Sequence, residues 1–521
     1  MKFFKKMMAV TLTAAMVLSL GACGSASTSN NGDDSVALAD KIVTLAQTSD
    51  VQSFDPHGQN NGYSICATNE IYDTLVRLNT DNEFVPSIAE SWDFTDDTTV
   101  TFHIRKDVKF QDGSALTAED CAYSIMREKE SSKVGHLVKM IDSVDVDDEY
   151  TFTVHMNEPS SALISSLSHP GSSILSKAYT EKLEADGKAL TDAPMGSGPY
   201  SFVSWTPGNN FELKRNDAYW GEKPQNGGLI VKIIPEEASR TMALEAGEVD
   251  VLIDVSLQDV NRINENKDLN LVEYPSTVIQ YMVINTSKEP FDNVLVRKAL
   301  NYGINTKSII EVAANGNADV FHSYLAPCAL GYSKDIVTYD YNQEKAKECL
   351  AEAGYENGFD CTIMVGNNTR ARAAQVIQAN LKEIGINVEI KQMESGVFYE
   401  KTGDGQHELG IAGWMANAEP DNTFRPLFHS ADTGNGGNRS FHSIAEVDTL
   451  IDEAAQIQDM TKRIDNYAKA MNILTDQALW VPLYNDRGLM ATRANVEGLV
   501  PYAIGIQRYD SVHFVDKSSA K

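Results

Sequence analysis

The chain has 521 residues, 42% of them hydrophobic, and a formal net charge of −29 at pH 7. A negatively charged surface repels nucleic acid and anionic lipid headgroups, so neither is an expected partner. We interpret the excess of acidic residues as a contribution to solubility; attraction of cationic ligands is the second explanation. A chain of this length exceeds what one hydrophobic core usually serves, which predicts two or three domains, and we expect a monomer.

Residues 1–22 have the layout of a secretory signal peptide. The cationic start "MKFFKK" precedes the apolar run "MMAVTLTAAMVLSL", which is too short for a membrane span of roughly 20 apolar residues. The ending "LGAC" places small residues directly before Cys23 and resembles the lipobox of bacterial lipoproteins. That resemblance implies cleavage before Cys23 and attachment of a diacylglycerol to its sulfur. Ordinary cleavage with an incidental cysteine is the alternative.

Residues 23–39 are predicted to be a flexible tether. They begin "CGSASTSNNGDDS", which is small and polar and has no apolar periodicity. No later apolar run is long enough to cross a bilayer. We therefore expect an extracytoplasmic body held on the outer face of the cell membrane by the acyl chains of Cys23.

The segment 92–155 reads as antiparallel strands joined by turns. "TVTFHIR" and "DDEYTFTVHM" alternate apolar and polar residues, and Asp112-Gly113 is a turn signal between them. "TAEDCAYSIMRE" predicts a helix capped by Thr117.

Farther along, strands and helices alternate in an α/β pattern. Residues 341–355 predict a helix capped by Asn342 and stopped at Gly354. Strand 361–366, a helix over 369–385 with Gly385 as its C-cap, and strand 386–393 predict a right-handed crossover unit of a parallel sheet.

A third buried strand is predicted over 408–415. "GWMANAEPD" runs from its carboxyl end into a loop broken by Pro420. In open α/β sheets this edge is where ligands usually bind. Glu419 and Asp421 flank the proline; a turn with two solvated acids is the commoner meaning of such a pair, and nothing indicates that they face each other as an acid/base pair.

Motifs of enzymes and metal sites are missing from the sequence. It has no G-x-S-x-G, H-E-x-x-H, G-x-G-x-x-G or phosphate-binding G-x-x-x-x-G-K-[ST] pattern. The cysteines after Cys23 show no C-x-x-C spacing, and a disulfide framework is not expected. We predict a protein that is not an enzyme and that has no metal or other cofactor.

Five segments along the chain are informative as a set: "FDPH", "GSGPYSFVSW", "KRNDAYWGEKP", "NTSKEPFDNVLVRKALNYGIN" and "WVPLYNDRGLMA". Together with others they resemble family 5 of the bacterial extracellular solute-binding proteins, the oligopeptide-, dipeptide- and nickel-binding lipoproteins of ABC importers. The resemblance covers essentially the whole mature chain in the family's order.

The resemblance implies an α/β fold, a two-lobed clamp like that of periplasmic binding proteins, with an extra antiparallel-strand-rich domain inserted in the first lobe. Hinge crossovers are expected near Ile284–Thr286 and Pro482–Asn485, and Arg297 is assigned to an ion pair near the hinge. The implied domains are lobe I, which is discontinuous (40–64, 190–285 and 484–516), the insert (65–189) and lobe II (286–483).

The family resemblance also implies the partners: a peptide ligand that closes the lobes, and the permease subunits of an ABC importer. Other ligands remain open, such as a metal chelate, an oligosaccharide or a modified peptide. So does a peptide-signal receptor, whereas an extracytoplasmic hydrolase is disfavoured by the missing motifs.

In peptide-binding members an aspartate stands three residues after the tryptophan, and here that position is Asn417. Its amide brings no charge, and charge-assisted hydrogen bonds are roughly twice as strong as neutral ones. Either Glu419 or Asp421 takes over the peptide's amine, or the ligand has no free amine there.

The other candidate site residues come from the same resemblance. Trp414 is expected to stack on the ligand or to lie in the core. Arg370 and Arg372 are candidates for the ligand carboxylate, with solvated arginines as the alternative. The first lobe contributes four further candidates: Gln59, Asn60, Asn61 and Tyr63.

Overall fold

The structure, a computed structural model, describes residues 37–434 and 437–516. The chain divides into two compact units, residues 1–37 and 38–521, and the described strands and helices belong to the second. The predicted signal peptide, Cys23 and the tether as far as residue 36 lie outside the described residues.

Nineteen strands lie in this part of the chain. In chain order they are β1 (Ile42–Gln47), β2 (Val76–Leu78), β3 (Phe84–Pro86), β4 (Ala89–Asp96), β5 (Thr99–Ile104), β6 (Ile141–Asp148), β7 (Thr151–Met156), β8 (Tyr200–Thr206), β9 (Asn210–Arg215), β10 (Gly228–Ile233), β11 (Val251–Leu252), β12 (Leu269–Ile284), β13 (Ala318–Asp319), β14 (Phe359–Val365), β15 (Ile386–Gln392), β16 (Leu409–Met415), β17 (Trp480–Arg493), β18 (Val496–Glu497) and β19 (His513–Phe514).

Fourteen α-helices accompany the strands within the same residues. They are α1 (Gly62–Ile71), α2 (Ala118–Lys129), α3 (Leu163–Ser166), α4 (Lys177–Ala185), α5 (Glu237–Ala246), α6 (Val260–Glu265), α7 (Val294–Gly303), α8 (Thr306–Ala313), α9 (Gln343–Glu352), α10 (Asn368–Lys382), α11 (Ser395–Gly403), α12 (Asp421–Phe428), α13 (Ala445–Gln456) and α14 (Met460–Asp476). Among the described helices, none combines the length and the apolar composition that crossing a membrane requires.

One mixed sheet has eleven strands, in the order β15-β14-β16-β12-β17-β11-β1-β10-β9-β8, with β13 also paired to β17. β15, β14 and β16 are parallel to one another, and β12 is antiparallel to both β16 and β17. β12 and β17 pair along most of their length and so connect the end of the sheet that contains β14–β16 with the end that contains β1 and β10. The predicted mixed α/β fold class is confirmed.

The pairing of β12 with β17 is irregular near its middle. The register shifts between Pro275 and Ile279 and again between Gln280 and Tyr281. Residues 278–284 pair with β16, so the irregularity begins earlier in the chain than the predicted hinge segment Ile284–Thr286. The domain limits and the hinge remain predictions.

A separate four-stranded antiparallel sheet has the order β4-β5-β7-β6. It confirms the antiparallel strands predicted within 92–155. Alternate residues of β5 and β7 are buried, and Phe102 stacks on Phe152 with ring centroids 5.2 Å apart. Thr117 is the N-cap of α2, as predicted.

The crossover unit is also confirmed, with small shifts at the helix ends. β14 and β15 are parallel neighbours, and α10 connects them. The residue at the C-cap of α10 is Glu383, so the prediction of Gly385 as C-cap is wrong by two residues. Gly385 instead has φ +87°, a left-handed conformation that favours glycine and lets the chain turn into β15.

β16 is apolar because both faces of its part of the sheet are covered. Leu409 and Ile411 belong to one hydrophobic cluster, whereas Ala412 belongs to the cluster on the opposite face. This alternation follows from the two-residue period of a strand. The burial ends at the carboxyl end of the strand, where Met415 is exposed.

Arg297 is structural, but the predicted ion pair is wrong. Its guanidinium donates hydrogen bonds of 2.9 Å to the backbone carbonyls of Phe291, Asp292 and Gln477. Carbonyl oxygens thus satisfy this buried cation: two come from the residues just before α7, and the third comes from Gln477 at the C-cap of α14. No carboxylate of the described residues lies within ion-pair distance of it.

Candidate ligand-binding site

The chain turns sharply after β16. Ala416, Asn417, Ala418 and Glu419 form a short turn, and Pro420 is the N-cap residue of α12 with φ −59°. The predicted loop after β16 is confirmed for residues 416–419. Pro420 ends this loop by beginning α12, because the fixed φ of proline is compatible with a helix start. The turn stands at the carboxyl end of β16, the predicted edge of the sheet.

Asn417 is exposed at this turn. Its Oδ1 accepts a hydrogen bond of 2.9 Å from the backbone N–H of Glu419, which is an Asx turn. No described residue accepts a hydrogen bond from its Nδ2. The side chain therefore offers a ligand a hydrogen-bond donor, while its acceptor is engaged by the backbone.

Glu419 is not a solvated acid, contrary to the expectation for this turn. It is 2% exposed, and Oε1 accepts hydrogen bonds from the guanidinium of Arg463 and from the backbone N–H of Asp421. Ser165 Oγ donates to Oε2 at 2.8 Å. A carboxylate held by these three donors is already paired and has little capacity for a ligand ammonium.

Asp421 is paired as well. Its Oδ2 accepts a hydrogen bond of 2.9 Å from Arg425 Nε, and its Oδ1 accepts one of 3.3 Å from the hydroxyl of Tyr467. Arg425 in turn donates to Asp452. Neither acid that was expected to replace the missing aspartate is free in this conformation.

Trp414 lies partly against the core and partly in the wall of the cleft. Its Nε1 donates a hydrogen bond of 3.2 Å to Thr423 Oγ1, and the ring packs against the hydrophobic cluster that contains Ala412. The side chain remains half-buried and lines the adjacent cleft. The indole is thus anchored on its protein side and open on the other.

Two cavities meet at the turn. The main cleft, of about 750 Å³, lies between residues 136–169 of the insert and residues 414–456, and Asn60 reaches it. The side cavity, of about 70 Å³, is lined by residues 165–170, by 417–419 and by even-numbered residues of 502–508. Asn417 lines both. A volume of several hundred Å³ suits a small organic ligand, whereas the side cavity is about a tenth of the size of the main cleft.

The segment 502–509 separates the side cavity from a third cavity of about 270 Å³. Its even-numbered residues as far as Arg508 line the side cavity, and its odd-numbered residues from Ala503 to Tyr509 line the third cavity. Tyr63, Asp254 and Met415 also line the third cavity. The end of β16 therefore borders all three spaces.

Arg370 lies beside the middle of β16. Its Nε donates to Gln280 Oε1 at 3.3 Å, and its Nη1 donates to the Tyr399 hydroxyl at 3.2 Å. A Cβ at Gly413 would lie 2.7 Å from Arg370 Nη2, so the missing side chain of this glycine lets the guanidinium approach the strand. Within the described residues no carboxylate lies within 4 Å of this guanidinium.

The other end of the Gln280 side chain contacts an acid, Asp486. Gln280 Nε2 donates to Asp486 Oδ2 at 2.9 Å. Burial raises the pKa of the Asp486 carboxyl to about 6, although Gln280 and Arg370 act in the opposite direction. The amide of Gln280 thus separates the cation of Arg370 from the acid, and the cation remains available.

Arg372 points elsewhere. Its Nη2 donates to the carbonyl of Ala313, at the end of α8, and to Thr369 Oγ1. The structure therefore separates the two arginines that the sequence proposed together. Only Arg370 lies next to β16.

The four candidates at 59–63 have different surroundings. Asn61 is the N-cap of α1 and accepts hydrogen bonds from the backbone of Tyr63 and Ser64. Gln59 is buried and its Oε1 accepts from Asn61 N at 2.7 Å. Tyr63 donates to Asp254 Oδ2 at 2.9 Å in the third cavity. Only Asn60 of this group lines the main cleft.

Several lining residues were missed by sequence reasoning. They come from α3 and the turn after it, and from the C-terminal segment: Ser165, Ser166, His169, Tyr502 and Arg508. The serine-rich "LISSLSHPGS" gave no motif, and only the alternation in "YAIGIQRY" could have indicated a two-sided segment. Among the described residues no group of three or more His, Cys, Asp or Glu is arranged to hold a metal ion.

Comparison with known sequences gives a consistent result. Residues 83–435 match the family described as bacterial extracellular solute-binding proteins, family 5. Heme-binding protein A of Haemophilus influenzae is 29% identical, with 98% of this chain and 99% of that protein covered. The dipeptide-binding protein of Escherichia coli is 29% identical, with coverages of 92% and 96%. The glutathione-binding protein GsiB of Salmonella choleraesuis is 30% identical, with coverages of 89% and 92%.

Solved structures agree in fold. A periplasmic binding protein associated with an ABC transporter, DppA from Helicobacter pylori in complex with the peptide STSA, is 30% identical, with a TM-score of 0.73 and coverages of 91% and 98%. HbpA2 from Haemophilus parasuis is 28% identical, with a TM-score of 0.85 and coverages of 91% and 100%. These neighbours are two-lobed binding proteins, which confirms the predicted clamp fold.

Proposed function

Because the chain belongs to family 5 of the bacterial extracellular solute-binding proteins, a family of transport proteins rather than enzymes, we propose that it is the substrate-binding lipoprotein of an ABC importer. It captures small peptides between its two lobes and delivers them to a membrane permease, while the acyl chains of Cys23 hold it at the membrane. Ligand favours the closed form through its differential contacts with that form.

The observation that carries the proposal is the open edge of β16. Residues 409–411 pair with β14 on one side, and 409–415 pair with β12 on the other. Along 412–415 no described strand occupies the β14 side. An extended peptide can add to such an edge through main-chain hydrogen bonds, which hold the ligand regardless of its side chains.

Arg370 supports a defined end for such a ligand. It lies against Gly413, within the open edge, and has no carboxylate partner among the described residues. A guanidinium recognises a carboxylate with two parallel hydrogen bonds. We assign Arg370 to the C-terminal carboxylate of the peptide.

The length of the ligand follows from the strand geometry. At a strand rise of about 3.3 Å per residue, Gly413 and Asn417 would lie about 13 Å apart at most, and less because β16 ends at Met415 and the chain then turns. An extended peptide of three or four residues spans that distance. Trp414 and Met415, which lie between the two ends, contact its side chains.

The relatives support a peptide and also keep a second ligand class in view. One relative is named for dipeptides, one for glutathione and one solved neighbour contains a peptide, but another relative is named for heme. A non-peptide ligand such as a metal chelate or an oligosaccharide is therefore the second candidate for the same clamp. A receptor for peptide signals would capture its ligand in the same way, so this alternative shares the proposed binding step.

Calorimetric titration with tetra-alanine tests the proposal. We expect the free acid to bind about ten-fold or more tightly than the C-terminal amide, since a charge-assisted pair exceeds a neutral one by at least that factor. Arg370→Gln should remove this difference. Arg372→Gln is the matched control, because that arginine bonds the chain near α8, and it should retain the difference. If no tetrapeptide binds and a chelate or oligosaccharide does, the peptide assignment fails.

A further inference from the structure

We propose that the side cavity binds a carboxylate of the ligand, with the guanidinium of Arg508 as its principal donor, so that the preferred ligands are acidic peptides. This inference rests on the proposed peptide capture and specifies which peptides are taken. The cavity lies at the carboxyl end of β16, where Asn417 forms part of its wall.

Arg508 differs from the other buried arginines. Arg240, Arg297, Arg463 and Arg508 are each at most 6% exposed. The first three donate two or more hydrogen bonds to carbonyl or carboxylate oxygens. The guanidinium of Arg508 donates none to any described residue, and its Nε and Nη2 are buried without a partner.

A buried cation in this state requires an acceptor. The nearest carboxylate oxygen, Oδ2 of Asp510, is 3.8 Å from Arg508 Nε, which is beyond hydrogen-bond distance. Glu70 is close, but burial raises the pKa of its carboxyl to about 8, so at pH 7 it is mostly neutral. Asp510 therefore opposes the charge as an ion pair without a hydrogen bond, whereas the N–H groups of Arg508 have no acceptor among the described residues. Because buried donors without an acceptor are unfavourable, a carboxylate from the ligand would complete the arrangement.

The rest of the wall also offers donors. The Nδ2 of Asn417 is free, as described above. His169 Nδ1 accepts a hydrogen bond from the backbone N–H of Gly171 at 2.9 Å, and burial, together with His136, lowers the pKa of His169 to about 4. The neutral ring therefore carries its hydrogen on Nε2, as a second donor.

No free acid opposes an anion in the cavity wall. Glu419 is the one carboxylate among the described lining residues, and Arg463, Ser165 and the Asp421 backbone already satisfy it. Arg77, which also lines the cavity, adds a second positive charge; its Nη2 donates to the Tyr219 hydroxyl at 3.2 Å and lies 3.6 Å from Asp73. Asp73 and Asp510 thus lie near Arg77 and Arg508, so the preference for an anion comes from the N–H donors of Arg508 that have no acceptor.

The size of the cavity sets the kind of group. The side cavity, of about 70 Å³, is about a tenth of the volume of the main cleft, which favours a small polar group such as a carboxylate over a whole peptide. The carboxylate of an aspartate or glutamate side chain is such a group, while the peptide backbone stays at the edge of β16.

Calorimetry with a matched peptide set tests the inference. The probes are tetra-alanine peptides in which one residue, at each of the first three positions, is glutamate or glutamine. We expect glutamate to bind about ten-fold or more tightly than glutamine at one position. In Arg508→Gln the preference for glutamate should fall below about three-fold, while the affinity for the glutamine peptide stays unchanged. Arg508→Lys should keep part of the preference. Equal binding of both peptides at every position, or a preference that survives Arg508→Gln, would overturn the inference.

Asn417→Asp is the second variant, and it keeps the test decisive if Arg508→Gln fails to fold. The residue is exposed, and aspartate retains the acceptor for the Glu419 backbone, so folding should be unaffected. The new negative charge should lower the affinity for the glutamate peptide by about ten-fold relative to the affinity for the glutamine peptide. An unchanged ratio would contradict the carboxylate site.

Glutarate separates this inference from the proposed function. If no peptide binds, but glutarate raises the melting temperature of the wild type and not of Arg508→Gln, the peptide function fails while the carboxylate site stands. If peptides bind without any acidic preference and glutarate has no effect, the peptide function stands and the carboxylate site fails.

Discussion

Arg463 donates a hydrogen bond to Glu419 where neither side chain is more than 3% exposed. The pair connects α14 to the turn between β16 and α12, and Ser165 joins it from the insert. A buried ion pair therefore holds the turn that carries Asn417 in place at the main cleft.

Removing one partner of this pair should destabilise the protein. Glu419→Gln leaves the Arg463 guanidinium buried without its counterion, and such changes cost about 3–5 kcal/mol. Urea unfolding of the wild type and the variant measures the loss. Adding Arg463→Met should recover part of it, because the stranded charge is removed. A loss below about 1 kcal/mol for Glu419→Gln would contradict the ion pair as described.

Gly413→Ala should weaken peptide binding without unfolding the protein. The new methyl group would lie 2.7 Å from Arg370 Nη2 and 2.8 Å from Gln280 Oε1, so it displaces the arginine from the open edge. We expect a loss of about ten-fold in affinity for free-acid tetrapeptides. Gly410→Ala, on the same strand, is the control, since its methyl group would meet other side chains at 3.4 Å or more. Equal effects of the two substitutions would argue against a role for Arg370.

Stability should fall as the pH rises through the titration of Glu70. Burial raises the pKa of this carboxyl from 4.5 to about 8, against the opposing charge of Arg508. The unfolded chain therefore releases the proton at lower pH than the folded protein, and stability is lost between about pH 4.5 and pH 8. Glu70→Gln keeps an acceptor for the Tyr509 N–H but does not titrate.

The melting temperatures of wild type and Glu70→Gln at pH 5, 6.5 and 8 check this expectation. As the pH increases, the melting temperature of Glu70→Gln should rise relative to that of the wild type. A difference that stays constant over this range would show that Glu70 has an ordinary pKa in the folded protein.

Trp414 should report ligand binding by fluorescence. Its ring is half-buried and lines the main cleft, so a bound peptide changes its surroundings. Trp414→Phe should remove most of the ligand-induced change in emission, whereas Trp92→Phe, in the sheet of the insert, should preserve it. A signal unchanged by Trp414→Phe would place the ligand away from this indole.

The sequence predicted the strands better than it predicted the contacts between side chains. β14, β15 and β16 follow from local apolar runs, whereas Asn417 was identified through the family resemblance, and its role in binding remains a prediction. The burial of Glu419 could not be predicted, because its partner Arg463 lies on a different helix. Likewise nothing near Arg508 in the sequence indicates that it lines the same cavity as Asn417. Such pairs depend on long-range packing, which local patterns do not encode.

Native mass spectrometry of the purified protein tests the central claim most directly. We expect co-purified ligands with the masses of tri- and tetrapeptides, released intact on denaturation and enriched in aspartate or glutamate. Bound masses that correspond to a metal chelate, a porphyrin or an oligosaccharide, with no peptides, would contradict peptide capture as the function of this site.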